Sequence, residues 1–215
     1  LSMSYKSILN RNFVIVIFLA LVAIYFFRNN LGLTSQLLHD ITKTLPVLFL
    51  SLATYFCGSN RLVSLALLLS AAGDLAGEEK IFLAQIALFA LAHIAYIIYF
   101  AKRATINSKN RIAIAIWVIV MLIFGGWMVS HIGSTTIKIA CSLYILLIGT
   151  MAATTFSIQA THKPLYVIAA LLFVFSDSCI AWNKFIEHFT GAGITIMTTY
   201  FAAQAIFAWL ALKRE

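Results

Sequence analysis

The sequence contains little charge. Asp, Glu, Lys and Arg make up 10% of its 215 residues, whereas about 25% is typical of a soluble protein. Hydrophobic residues make up 62% of the chain. Apolar stretches joined by short polar breaks fill nearly the whole length, which excludes a sizeable domain outside the membrane. The composition therefore predicts a single transmembrane domain over residues 1–215.

Several functional motifs are missing. The chain has no phosphate-binding glycine loop, dinucleotide fingerprint or nucleophilic serine motif. Cys57, Cys141 and Cys179 lack metal or redox spacing and are interpreted as small packing residues. His93 has no second ligand at a suitable spacing on its helix, so neither zinc nor another cofactor is implied. The basic residues are scattered between apolar runs, which indicates membrane orientation and excludes nucleic acid as a partner.

Eight apolar runs have about the length of a membrane-spanning helix, so the sequence predicts an all-α integral membrane protein. The predicted spans are 12–27, 41–57, 61–76, 81–100, 112–130, 137–156, 165–182 and 194–212. Residues that favour helix ends lie at or between these runs. They are Asn29-Asn30, Gly58-Ser59-Asn60, Gly77, Gly133-Ser134, Pro164 and Gly191-Ala192-Gly193.

The distribution of Lys and Arg predicts the orientation. One side of the predicted membrane receives ten of these residues and the other side receives at most five. The positive-inside rule then assigns both termini to the cytoplasm, in a multi-pass protein of the inner or plasma membrane. In this orientation most of the unusual polar residues fall in the outer half of the membrane.

Two aspartates, Asp74 and Asp177, lie in or at the end of apolar runs. A charge at membrane depth costs about 2.5–3.5 kcal/mol even on the most lenient scale and marks a candidate functional site. In the structural interpretation, each aspartate caps a helix or pairs with Lys43, Lys80 or Lys184. In the functional interpretation they form a carboxylate pair in which one group is protonated and the other ionised, which divides acid and base roles between them.

Other polar side chains are candidates for binding a substrate. Lys43 is predicted either to reach the headgroups, to keep one carboxylate charged, or to bind a lipid phosphate. His93 and Tyr96 share a helix face, as do Tyr200 and Gln204, and such residues either join helices or line a pocket. The full set of candidates is Lys43, His93, Tyr96, Tyr144, Asn183, Lys184, Tyr200 and Gln204. Glu78 and Glu79 are interpreted as solvated loop residues.

The two aspartates also occur in similar contexts. Leu-Leu-Ser-Ala-Ala-Gly-Asp74 resembles Leu-Leu-Phe-Val-Phe-Ser-Asp177, and a phenylalanine, Phe82 or Phe185, follows each aspartate eight residues later. The offset of 103 residues corresponds to four spans. The pattern predicts a parallel four-plus-four repeat with both aspartates near a pseudo-two-fold axis. Chance similarity between apolar segments is the alternative.

These residues resemble the YhhN-like family of membrane proteins, which includes the lysoplasmalogenases. The resemblance is carried by motifs in a fixed order over residues 40–210. They are Ala72-Gly73-Asp74, His93-Ile94-Ala95-Tyr96, Leu172-Phe173-Val174-Phe175-Ser176-Asp177 and Tyr200-Phe201-Ala202-Ala203-Gln204, with Lys43, Tyr144 and Met151 in matching helices. The family resemblance implies an eight-helix bundle.

The resemblance also implies an activity, which is hydrolysis of the vinyl-ether bond of a lysophospholipid. Asp74 and Asp177 would act as acid and base, the other candidates would line the pocket, and Lys43 or Lys184 would meet the phosphate. The expected partners are the lysophospholipid substrate and membrane lipids. Two alternatives stay open, namely a proton-coupled transporter or lipid-binding protein, and a structural membrane protein with internal ion pairs.

Overall fold

The computed structural model describes residues 11–58 and 60–212, which form eight α-helices. They are α1 (Arg11–Phe27), α2 (Gln36–Cys57), α3 (Arg61–Glu78), α4 (Phe82–Ala101), α5 (Ser108–Ser130), α6 (Thr135–Thr155), α7 (Lys163–Phe185) and α8 (Ala192–Leu212). An isolated antiparallel bridge joins Ala104 to Ile158. The all-helical prediction is confirmed for this part of the chain, and each helix coincides with one predicted apolar run.

Capping residues explain why some helices begin before the apolar run does. The Ser35 side chain accepts a hydrogen bond from the Leu38 amide, so α2 begins at Gln36 although its first residues are polar. The Asn107 side chain accepts from the Asn110 amide in the same way at the start of α5. The hydropathy pattern locates the apolar part of each helix, whereas the cap locates its first residue.

Several of the predicted break residues are inside helices. Pro164 lies in the first turn of α7, where a helix does not need the missing N–H. Gly193 is the second residue of α8. Gly77 is within α3, and a Cβ added there would lie 2.7 Å from the Gln85 amide nitrogen, so its role is close packing. Helix α3 continues past this glycine to Glu78.

Helix α8 lies inside the bundle and packs against α1, α2, α3 and α7. Helix α3, which carries Asp74, packs between α2 and α4 and also contacts α8. Helix α5 is peripheral, since its main contact is with α6. Most of its large apolar side chains are exposed, among them Ile112, Ile116, Ile119, Leu122 and Ile123. A surface of this kind requires lipid around it.

Five of the helices, α4 to α8, are long and apolar enough to cross a membrane. The chain is therefore a multi-pass membrane protein. Crossing by α1, α2 and α3 stays a prediction, as do the four-plus-four repeat and the cytoplasmic termini. The residues at both chain ends that carried part of the orientation argument, Lys6, Lys213 and Arg214, lie outside the described residues.

Candidate active site

Asp177 belongs to a hydrogen-bonded cluster formed by α4, α6 and α7. The Tyr144 hydroxyl donates to Asp177 Oδ2. His93 Nε2 lies 2.9 Å from the Tyr144 oxygen and 3.8 Å from Asp177 Oδ2. Because the tyrosine proton points at the carboxylate, the tyrosine oxygen accepts from His93 Nε2–H. The three side chains therefore form a directed chain of donors that ends at the carboxylate.

Asp74 belongs to a second cluster, formed by α3, α4 and α8. Only 3% of the residue is exposed, and the Tyr200 hydroxyl donates to its Oδ2 at 2.7 Å. One turn further along α8, Gln204 Oε1 accepts from the Tyr96 hydroxyl at 2.8 Å. Helix periodicity had predicted that Tyr200 and Gln204 share a face, and this face is turned towards α3 and α4.

An aromatic layer joins the two clusters. The Phe173 ring is 4.8 Å from the His93 ring and 5.5 Å from the Tyr200 ring, measured between centroids. The Phe89 ring packs against both Phe173 and Tyr200. Gly73 makes room for this layer, because a Cβ there would lie 2.8 Å from the Phe89 ring. Each carboxylate is thus held by its own tyrosine on either side of one apolar contact.

An apolar groove leads to the Asp177 cluster. A cavity of about 720 Å³ lies between α5 and α6, and it is lined almost entirely by apolar side chains. A smaller cavity of about 60 Å³ is lined by Tyr144 and Asp177. Both cavities are bordered by Met121, Gly125 and Ile145, so they adjoin at this point. Asp177 is therefore the aspartate that faces the groove.

Several buried polar atoms around the site have no hydrogen-bond partner within residues 11–58 and 60–212. They are Ser70 Oγ, His93 Nδ1 and Gln204 Nε2, and all three residues are fully buried. Ser70 precedes Asp74 by one turn, so both lie on the same face of α3. Buried polar atoms normally find a partner, so these atoms are available to water or a substrate. In the same ranges, no group of three His, Cys, Asp or Glu side chains could hold a metal ion.

Three predicted site residues are not joined to the aspartates. Lys43 Nζ lies 3.0 Å from Glu78 Oε2. Lys184 Nζ lies 4.3 Å above the Phe82 ring. The Asn183 side chain accepts from a backbone amide in the loop after α7. Among the ion pairs of the described residues, none links a lysine to either aspartate, which weakens the interpretation of the aspartates as partners for lysines.

The interpretation of Glu78 as a solvated loop residue is wrong. Glu78 ends α3, its side chain is only 17% exposed, and it meets Arg28, His39 and Lys43. Burial raises the pKa of this carboxyl, but the neighbouring cations outweigh burial and lower its pKa below the ordinary value. The sequence contained one indication that Glu78 belongs near the site. Glu78 follows Asp74 by four residues and therefore shares its helix face.

These features define a class of protein, a multi-pass helical membrane protein with a carboxylate–tyrosine site beside an apolar groove. The model of the YhhN family matches residues 38–211, and the chain belongs to this family. Lysoplasmalogenase TMEM86B of Sus scrofa is 29% identical over 174 residues, which cover 78% of this chain and 73% of that protein. No solved structure matches the chain.

Proposed function

We propose that the protein is a membrane-embedded ether hydrolase that cleaves the vinyl-ether bond of lysoplasmalogens. The products would be a fatty aldehyde and glycerophosphoethanolamine or glycerophosphocholine. The observation that carries this proposal is that a tyrosine binds each carboxylate, with Asp74 buried between helices and Asp177 beside an apolar groove. The similarity to a lysoplasmalogenase supports the choice of substrate.

The chemistry suits two carboxylates in different surroundings. A carboxylic acid gives its proton to the β-carbon of the vinyl ether, and the positive charge develops on the ether carbon and oxygen. Water then adds to that carbon, and the hemiacetal formed breaks into an aldehyde and a glycerol hydroxyl. A second carboxylate steadies the cation and accepts a proton from the water.

The hydrogen bonds suggest how the two roles are divided. Asp177 lies beside the groove, receives the Tyr144 hydroxyl and has His93 Nε2 nearby, so its carboxylate is held in place to face a developing cation. Asp74 is buried with the Tyr200 hydroxyl as its donor. We therefore assign the proton donor to Asp74 and the cation-stabilising carboxylate to Asp177.

The groove between α5 and α6 suits the alkenyl chain. Its lining on α5 runs from Ile114 to Val129, which corresponds to roughly 22 Å at the rise of an α-helix. One leaflet of hydrocarbon is about 15 Å thick, so the groove is long enough for a lipid chain. The peripheral position of α5 leaves this groove open to the surrounding lipid, and a substrate enters sideways from the bilayer.

The topology and the internal repeat are part of the same proposal. The Phe82 and Phe185 rings, which occupy equivalent positions in the predicted repeat, lie 5.8 Å apart. Residues next to a two-fold axis contact each other in this way, which supports a parallel four-plus-four arrangement with cytoplasmic termini. Labelling of single cysteines from either side of intact cells tests the topology, and a periplasmic or extracellular terminus would refute it.

Release of aldehyde from a lysoplasmalogen by detergent-purified protein tests the activity. Asp74→Asn and Asp177→Asn should each abolish release while the protein stays folded. Glu187→Gln, which removes an exposed loop carboxylate, is the matched control and should retain full activity. Full activity in both aspartate variants would rule out the mechanism. Substrate movement that needs sealed vesicles, with no aldehyde released, would indicate a transporter instead.

A further inference from the structure

Arg28, His39 and Lys43 surround Glu78 and form what we call the basic cluster. Arg28 and His39 approach Glu78 Oε1 at 3.5 and 3.7 Å, and Lys43 approaches Oε2 at 3.0 Å. Between 14% and 25% of each of these side chains is exposed. Arg28 and Lys43 carry two positive charges against the single negative charge of Glu78, so these three side chains leave one positive charge uncompensated.

The basic cluster has donors left for another anion. Lys43 directs one of its ammonium protons at Glu78 and keeps others. The Arg28 guanidinium reaches Glu78 and the His39 carbonyl oxygen at 3.4 Å, and its fork has further N–H groups. His39 Nε2 is buried and has no partner in the described part of the chain, and it is a donor when it carries a proton. Excess charge and unused donors together are typical of a site for a phosphate.

The position of the cluster fits a lysophospholipid. Glu78 follows Asp74 by one helical turn, so the two side chains lie on one face of α3, about 5–6 Å apart at Cβ. This spacing is comparable to the reach of a glycerol backbone between an ether oxygen and a phosphate. Lys184, the other lysine considered for the phosphate, lies on the Phe82 ring. The cluster therefore sits where the phosphate falls when the vinyl ether is at Asp74.

We propose that Arg28, His39 and Lys43 bind the phosphate of the lysophospholipid headgroup and so set the depth at which the vinyl ether meets Asp74. The identity of the lipid rests on the proposed function, whereas the anion site rests on the contacts above. Two further carboxylates, Asp40 and Glu79, lie at the rim of the cluster, where Gln36 contacts both. Their carboxylates suit the ammonium group of ethanolamine or choline.

Binding of a ligand that the enzyme cannot hydrolyse tests the site without relying on catalysis. The probes are a saturated 1-alkyl lysophosphoethanolamine and the corresponding 1-alkylglycerol, which lacks the phosphate, each titrated against the full-length protein in detergent. Lys43→Gln and Arg28→Gln should each weaken binding of the phosphate-bearing probe roughly tenfold, the scale of one charge-assisted hydrogen bond. The Kd of the alkylglycerol should differ by less than about twofold between these variants and the wild-type protein. Lys80→Asn removes an exposed cation at the same end of α3 and should change neither.

A double variant separates phosphate binding from a structural role. If Lys43 serves only to neutralise Glu78, then Glu78→Gln should be as harmful as Lys43→Gln, and the double variant should regain normal binding. If Lys43 binds phosphate, Glu78→Gln should keep or strengthen binding, and the double variant should stay as weak as Lys43→Gln. The first pattern, or equal losses for both probes, would overturn the proposal. Loss of aldehyde chemistry in every assay would refute the proposed function but not this binding result.

Two competitors identify the source of the phosphate. Glycerophosphoethanolamine should displace the lipid probe at concentrations where inorganic phosphate does not, as expected for a headgroup site. Equal displacement by both would overturn the assignment to a lipid headgroup. Asp40→Asn should weaken binding of the ethanolamine probe but not of a lysophosphatidic acid analogue, which has no ammonium group. An unchanged affinity for the ethanolamine probe would refute the position proposed for the ammonium group.

Discussion

Replacing Tyr144 by phenylalanine removes one oxygen that serves two neighbours. The Tyr144 hydroxyl donates to Asp177 and accepts from His93 Nε2. Without it, His93 and the carboxylate face each other at 3.8 Å, beyond hydrogen-bond distance. A hydrogen bond to a charged group contributes about 1.5–3 kcal/mol. If this bond holds Asp177 in place beside the developing cation, kcat/KM should fall roughly 10- to 150-fold.

The assay is the rate of aldehyde release from a lysoplasmalogen in detergent, together with the midpoint of thermal unfolding. Tyr99→Phe is the matched control, because Tyr99 is also a buried tyrosine that hydrogen bonds to another side chain, the Tyr166 hydroxyl at 3.3 Å. It lies nearly two turns beyond His93 on α4, away from both aspartates. Tyr99→Phe should lower stability somewhat but leave kcat/KM unchanged.

This role for Tyr144 fails if Tyr144→Phe keeps kcat/KM within about twofold of wild type, a change well below the value of one charge-assisted hydrogen bond. It also fails if the two tyrosine variants lose activity in parallel with their loss of stability, since the effect would then be a general one.

Two further predictions concern the groove and the basic cluster. Gly125→Ala brings a Cβ within 2.8 Å of Ile145 Cγ2 at the point where the two cavities adjoin, so KM should rise most for long-chain substrates. Adding Ile145→Ala should restore the original KM. An unchanged preference for chain length would contradict this role of the groove. Glu78→Gln should lower the midpoint of thermal unfolding at pH 7, because it removes the ion pairs of this carboxylate. The pKa of Glu78 is lowered in the folded protein, so these ion pairs stabilise the fold above the ordinary pKa of 4.5 and are lost as the pH falls below that value. The gap between variant and wild type should therefore narrow at pH 4, and a constant gap would count against these ion pairs.

Hydropathy alone located every helix of the described chain, because apolar length is a local property and a membrane helix satisfies its own backbone. It also singled out Asp74 and Asp177, since a carboxylate among apolar residues is costly wherever the chain folds. It gave the wrong boundaries for α2 and α3. The Ser35 cap starts α2 before its apolar run, and α3 continues past Gly77 to Glu78.

The partners of the two aspartates depended on the tertiary structure. Tyr200 lies 126 residues from Asp74, and Tyr144 lies 33 residues from Asp177. Helix periodicity states which face a residue occupies, but it does not state which helix that face meets. Lys43 is an example. The sequence predicted a carboxylate or a phosphate as its partner, and the packing of the helices placed it beside Glu78.

The sequence by itself determined that this chain is helical, belongs in a membrane and carries two costly carboxylates. The tertiary structure decided that each carboxylate has its own tyrosine and that Asp177 faces the groove. The physical reason is that the cost of burying a charge is set by local composition, whereas the hydrogen bonds that offset this cost come from helices distant in the sequence.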